Sequence, residues 1–510
     1  MAMLEDKQIT TMFFDLAQYN KAYYEIFDAW YSGDTERIAA LGKRSSFWSK
    51  NGSNQNCKRA VHVPLASDIV TFGADLLFSE TPNIYVKRDE ENQEVTPQEK
   101  EQNNHLEWLL SQINISGKLN HASEICSAFG DVYLKINWDS ELADYPLLNV
   151  VRPEFAMPEY TFDILTAVNF FCIARAENNT VWRVFERQEK GVIYSRLYKG
   201  TTTTLGSVAS FDELGLSTEE EVITGIDDLL CVHIPNMLPN RTTRRDNMGR
   251  SDLDGIIDIM DALDESYSSW IRDIHLGKAR LMVPDFMLEA KQNPMLQKGA
   301  TETQTTYHFD TEDELYVAFS INQSQAEAMK DGGIMQAQFD IRSTEHLDTC
   351  LAFMERCIVT AGYSPQSFGL KIEGRADSGT ALEIRERRSF ATKAKKETYW
   401  KSKLINLLQL FIQIDSMVFG GILGDCDLEL EFNDSVAHNI STVANGIKLL
   451  SDSAALSTET KVRMTHPDWD NSAVHQEVEL INLEMGRLIE TEPDFLLGDK
   501  PLDGDNNVTE

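Results

Sequence analysis

The chain has 510 residues, 42% of them hydrophobic and 25% charged. That balance fits a folded protein of two to four domains or one elaborate multi-lobed subunit and excludes a disordered one. With 81 acidic against 47 basic residues the net charge is −34; such a surface repels nucleic acid at long range, serving either solubility alone or a surface that a passing polyanion must not stick to.

The elements follow in chain order. "TTMFFDLAQYNKAYYEIFDAWYSGD" spaces its aromatics at three and four and predicts helix as far as Gly33-Asp34. After the polar stretch "NGSNQNCKR", Pro64 and Ser67 open a helix ending near Ser79, and "NIYVKR" reads as a strand. Thr96 and Pro97 form a cap and first-turn pair for another helix. From about Asn114 to Ile234, "GDVYLKINWD", "AVNFFCIARAE", "TVWRVFERQ" and "VIYSRLYKG" alternate with period two, which predicts an antiparallel β region.

A long helix is expected over 251–277. Leu253, Ile256, Met260, Leu263, Tyr267, Trp270 and Ile274 step by three and four as a heptad packing seam. Asp254, Asp258, Asp261 and Glu265 share another face, either solvated or lining a channel. Residues 278–325 switch to short strands, "ARLMVPDFML", "QTTYHFD" and "ELYVAFSI". A second long helix is expected over 326–361, with Leu347, Leu351, Met354 and Ile358 in its seam, so that two helices flank a β head. A glycine-bearing loop, 362–379, leads into a helix of about 40 residues. Its first half holds the basic run Arg385, Arg387, Arg388, Lys393, Lys395 and Lys396. "DLELEFND" is a strand, the remainder is helical with acidic loops, and the tail "GDKPLDGDNNVTE" has the composition of a disordered end.

Catalytic signatures are missing from the sequence. There is no G-x-x-x-x-G-K-[ST], H-E-x-x-H or G-x-S-x-G. The pairs His105/Glu107 and His121/Glu124 have metal-ligand types, but helical histidines more often pack or face solvent, so neither metal nor cofactor is expected. Seven scattered cysteines without C-x-x-C argue against disulfides and zinc and for a reducing compartment; Cys350 and Cys357, seven apart, suit core packing. With no signal peptide at the start and no run of ~18 apolar residues, the expectation is a soluble chain made in the cytoplasm, with no membrane partner.

Five segments carry a resemblance: "HVPLASDIVTFGADLLFSETPNI", "GDVYLKINWD", "NMLPNR…GRSDLDGIIDIMDALDESYSSWIRDIHLGKARLMVP", "GRADSGTALEIRERRSFATKAKKETYWKSKL" and "EFNDSV". In order and spacing, over nearly the whole chain, they resemble the portal proteins of tailed double-stranded DNA bacteriophages, in the branch with long non-contractile tails. The resemblance implies an α+β portal fold: a mixed α/β wing (1–250, returning through 380–430), a long-helix stem hairpin (251–277 and 326–361), a small β-rich clip (278–325), a tunnel loop (362–379) and a helical crown (431–510). It implies no catalysis but a ring, usually of twelve copies, at one capsid vertex of the virion, assembled in the host bacterial cytoplasm. The implied partners are other copies of the chain, double-stranded DNA passing without sequence specificity, the terminase large subunit, a head-completion or adaptor protein, and the major capsid and scaffolding proteins. The rival expectation is another virion structural protein, a connector adaptor or a capsid subunit.

On the tunnel loop, Lys371 and Arg375 either grip phosphates transiently or pair with Glu373 and Asp377. The basic run either faces the channel or pairs with acidic wing segments of the next subunit, such as 217–221. In so acidic an assembly, subunit pairing is the favoured expectation.

Overall fold

In a computed structural model, residues 5–41, 61–87, 97–216, 218–241, 247–277, 280–284, 316–319, 335–337, 340–370, 379–424, 426–432, 447–451, 456–466 and 471–484 are described. The fold is mixed helix and sheet. The chain divides into two compact units, one of residues 1–376 with 380–435 and one of 377–379 with 436–510.

In the first unit, α1 (Asp6–Tyr19) runs through a π-helical turn, Asn20–Tyr24, into α2 (Glu25–Ser32), followed by α3 (Thr35–Leu41) and α4 (Leu65–Phe78). Strand β1 (Asn83–Val86) pairs antiparallel with the distant β14 (Leu428–Glu431). Helices α5 (Pro97–Gln112) and α6 (Ile115–Phe129) precede β2 (Asp131–Asn137), which lies between β3 (Leu147–Val151) and β10 (Cys231–Pro235).

The other three alternating segments lie in a separate antiparallel sheet. It runs β4 (Ala156–Thr161), β5 (Ile164–Glu177), β6 (Thr180–Glu189), β7 (Val192–Gly200), β8 (Ser207–Ala209), with β9 (Glu221–Ile223) also on β7. α1 covers one face: Ile9, Phe13 and Leu16 are buried with Phe171, Phe185 and Tyr198, and Phe13 meets Phe171 edge-on at 5.5 Å. The other face is covered as well at β4 and β5: Ala156, Val168 and Phe170 are buried with Tyr133, Leu229 and Cys231, so successive residues there serve two cores.

Two boundaries differ from expectation. The helix expected over 251–277 begins later, as α7 (Ile257–Leu276). Gly255 sits at φ +79°, a left-handed conformation that breaks a right-handed helix. Before it, Ser251 accepts the Leu253 N–H in a local turn. Of the helix expected over 326–361, residues 326–334 lie outside the described residues, Met335–Ala337 is a strand (β13), and Ser343–Ala361 is helix (α8). The reason is pairing: β13 lies antiparallel on β11 (Arg280–Pro284), whose other edge takes β12 (Tyr316–Phe319) in parallel. The small sheet thus extends past 325, and it joins the C-terminal end of α7 to the N-terminal end of α8.

α7 and α8 pack antiparallel. Leu253, Ile256, Met260 and Leu263 are buried with Cys350, Cys357 and Ile358 in the main core; each fully buried aliphatic side chain contributes about 1.5–3 kcal/mol. Tyr267 and Trp270 are partly buried and Ile274 is exposed, so burial fades along the seam toward the small sheet. After a short 3-10 turn at Pro365–Phe368 comes α9 (Gly379–Ile414), ending in a π-helical turn, Asp415–Phe419. In the second unit, α10 (Thr458–Thr465) packs on α11 (Asn471–Glu484). Among the described residues, no helix is long and apolar enough to cross a membrane.

Candidate functional site

A buried polar network lies where the helix hairpin joins the body. Its centre is Asp252, in the turn before α7, whose side chain is 2% exposed. Asp252 Oδ2 accepts from Ser127 Oγ at 2.6 Å, from the Tyr363 hydroxyl at 2.7 Å and from Lys396 Nζ at 2.6 Å. Asp252 Oδ1 accepts from Asn236 Nδ2 at 2.8 Å. Lys396 Nζ also donates to the Tyr363 oxygen at 2.8 Å. Both carboxylate oxygens are thus engaged, which is the condition for keeping a charge out of water.

Each partner arrives on a different element. Ser127 is in the last turn of α6, Asn236 follows β10, Tyr363 follows α8 and Lys396 is on α9. Ser389, Thr392 and Lys396 share one face of α9 by their spacing of three and four. Ser389 Oγ accepts the Ser364 N–H at 2.9 Å, and Thr392 Oγ1 donates to the Gly362 carbonyl at 2.6 Å. That face therefore clamps the segment leaving α8. Burial raises the Tyr363 hydroxyl pKa well above its usual value, and the Asp252 charge adds to the effect, so the phenol stays protonated and keeps donating. Gly73 on α4 makes the room: a Cβ there would stand 2.5 Å from the Tyr363 oxygen and 3.2 Å from Asp252 Oδ2.

A second latch holds α7 itself. Asp264, buried, accepts from the Val63 N–H at 2.9 Å through Oδ1 and shares 2.8 Å with His62 Nδ1 through Oδ2. Ser268 Oγ accepts the Val61 N–H at 3.0 Å. At the far end of α7, Asp273 Oδ2 takes Arg342 Nη2 at 2.7 Å, Arg342 Nε at 3.0 Å and His346 Nε2 at 2.9 Å, with Trp270 stacked on His346.

The sequence-named residues divide as follows. Lys371, Glu373, Arg375 and Asp377 lie outside the described residues, as does the side chain of Arg385. On the acidic face, Asp258 and Glu265 are exposed while Asp254 and Asp261 are half-buried. The basic run is not one surface. Arg387, Arg388 and Lys395 are exposed, but Lys393 is buried near Glu397 at 3.6 Å. Lys396 is the correction: its charge is met inside its own subunit by Asp252, because its position on α9 turns it inward. Asp252, Tyr363, Ser127 and Asp264 were missed. The three-four spacing of Ser389, Thr392 and Lys396 was the available signal for an inward polar face. Of the candidate metal-ligand types, His105 Nε2 bonds Asp415 at 2.9 Å and Glu124 accepts from the Tyr31 hydroxyl at 2.6 Å. Among the described residues no cluster of three or more such groups could hold a metal.

A carboxylate with both oxygens occupied, fixed between five segments, holds helices in place within an α+β fold. The profile of the phage portal proteins of the SPP1 Gp6-like kind matches residues 15–490, and the chain belongs to that family. It is a portal protein and a virion component, as the sequence resemblance implied. Among curated proteins no sequence matches significantly. Solved structures similar to the chain include "Virion of native gene transfer agent (GTA) particle", 12% identical over 79% of this chain and 89% of that chain, TM-score 0.40. Another is "Neck of native GTA particle computed with C12 symmetry", 14% identical over the same shares, 79% and 89%, TM-score 0.37.

Proposed function

We propose that the chain is the repeating subunit of a ring at one capsid vertex, through whose channel double-stranded DNA enters and leaves. The observation that supports this best is the family match together with its long-helix hairpin: α7 and α8 antiparallel, a small sheet joining their ends, and a buried ion pair at their base. In this reading α7 and α8 are the stem, β11–β13 belong to the clip, residues 1–250 and 380–430 make the wing and 431–510 the crown. Residues 362–379 form the tunnel loop, so the Asp252 network has a positioning role. Tyr363 stands at the loop's first end and Lys396 on the helix that follows it; tying both to Asp252 fixes the frame from which the loop reaches the channel.

The channel does not grip. Each Lys or Arg bound to phosphate adds a favourable contact that must break for DNA to advance. A wall carrying Asp258 and Glu265 keeps the duplex centred and its friction low, and Lys371 and Arg375 supply short-lived contacts at the constriction. The clip is the docking platform for the terminase large subunit and later for a head-completion protein. The protein contributes no catalytic step; the energy for movement comes from the terminase.

Electron microscopy of the purified full-length chain tests this reading directly. Rings with a central hole and near twelvefold symmetry are expected. Monomers or small dimers that stay so when the cognate scaffolding protein is added would overturn it.

A further inference from the structure

An apolar patch with an acidic rim occupies another part of the first unit. Trp108 on α5 is exposed, meets Tyr145 edge-on at 6.2 Å and stacks on His105 at 5.5 Å. The His105–Asp415 bond, 2.9 Å, ties this ring pair to the π-helical turn that ends α9. A π-turn inserts an extra residue into the helix and so redirects its side chains. Here Met417 is 57% exposed, and Val418 and Ile422 stand out beside it. Met417 Cε lies 2.9 Å from where a Cβ of Gly225 would stand, which brings in Ile223, 80% exposed. Leu142, three residues before Tyr145, is 75% exposed. A contiguous apolar surface from separate segments marks a binding site, whereas scattered single residues do not.

The rim carries one sign of charge. Glu107 precedes Trp108, Glu141 and Asp144 flank Leu142, and Glu221 precedes Ile223; all four are exposed. Lys190, beside the Gly191 carbonyl that accepts the Thr224 N–H, is the exception.

We propose that this patch docks a cationic amphipathic segment, apolar on one face and rich in Lys or Arg on the other, belonging to a protein other than this chain. Charge complementarity selects that occupant. The exposed carboxylates of Glu107, Glu141, Asp144 and Glu221 call for facing cations, which a segment rich in Lys or Arg carries. A segment with an apolar stripe fills the space over Met417 and Trp108 while its cations meet the rim, the mode in which an amphipathic helix lies in a groove.

The test titrates the assembled full-length protein with a fluorescein-labelled Lys/Leu amphipathic helical peptide of roughly 20 residues, long enough to fold on contact, read by anisotropy. Binding is expected, with none for the matching Glu/Leu peptide. The deciding variant is Met417→Glu. It adds negative charge, so mere electrostatic adsorption would strengthen, whereas apolar docking weakens about tenfold, the equivalent of losing one buried side chain. Trp108→Ala should weaken binding in the same direction, and Phe162→Ser, at an exposed hairpin tip elsewhere, should leave it unchanged. Equal affinity for wild type and Met417→Glu overturns the proposal, as does no binding by wild type or an equal loss in Phe162→Ser. Loss of the protein's own assembly in Met417→Glu, seen by sedimentation, would make the patch a contact between copies and also overturn it.

Discussion

At the base of the α7–α8 hairpin Asp252 meets Lys396, both 2% exposed; at the far end Asp273 meets Arg342, the arginine 65% exposed and the aspartate 18%. The pairs share a chemistry and nearly a distance, 2.6 Å against 2.7 Å. They differ in the alternative open to each charge. At the far end a broken pair is rehydrated, so the net gain is small. At the base water is excluded, and an orphaned charge has only the protein to face. The base is thus all-or-none, while the far end is adjustable. That division makes a hairpin rooted in a rigid body, with a tip whose contacts can change at small cost.

The largest expected effect follows from breaking the base. Lys396→Ala leaves Asp252 buried without its cation and should destabilise the first unit by about 3–5 kcal/mol in denaturant unfolding. The double variant Lys396→Met with Asp252→Asn removes both charges and keeps the volume. It should recover a large part of that loss; no recovery would mean that packing, and not charge, dominates the site.

Next in size are the groups around the pair. Gly73→Ala places a Cβ 2.5 Å from the Tyr363 oxygen and should cost about 1–3 kcal/mol, the usual range for overpacking. Tyr363→Phe removes the donor and acceptor in question and should cost about 1–3 kcal/mol by leaving bonds to Asp252 and Lys396 unmade. Combined, the two should cost less than their sum, because the hydroxyl that the methyl strikes is gone. Strict additivity would show that Gly73 is held by something other than Tyr363.

How much of this was legible in the sequence depends on the range of the interaction. The seam from Leu253 to Trp270 was readable because its period is local, and the β4–β7 strands because alternation is local. The start of α7 was misread because Gly255 interrupts a pattern that continues on both sides of it. β13 is three residues long and exists only through its pairing with β11, so no local pattern announces it. Asp252 looks like the other acids around it. What distinguishes it are Ser127, Tyr363 and Lys396, respectively 125, 111 and 144 residues away in the chain. The family was legible nonetheless, because it rests on the order of long segments and not on a few contacts.

Acid sharpens the comparison along α7. Burial raises the Asp264 carboxyl above the ordinary carboxylate range, against the pull of His62 and the Val63 N–H. The folded state then holds this proton more tightly than the unfolded state does. Its contribution to stability is greatest at low pH and declines as pH rises from the ordinary carboxylate pKa through the raised one. Asp264→Asn should flatten that part of the pH–stability curve, and an unchanged slope would rule Asp264 out as its source.

The smallest effect is expected at the far end. Hydrogen bonds from His346 and Arg342 hold the Asp273 carboxyl below the usual range. The sign is therefore opposite to that of Asp264: the contribution is present above the ordinary carboxylate pKa and disappears as pH falls through the lowered one. Arg342→Ala should cost about 1 kcal/mol or less and should cost less still at high salt, since an exposed pair is screened. His346→Ala also removes the ring stacked on Trp270, so it should alter tryptophan fluorescence where Arg342→Ala does not. Hydrogen exchange at the amides of 270–276 distinguishes the two ends most directly. Arg342→Ala should speed exchange there without touching the amides around Asp252, because a loss at the tip is absorbed locally. If Arg342→Ala also loosened the Asp252 region, the hairpin would be transmitting strain along its whole length, and the division between a fixed base and an adjustable tip would fail.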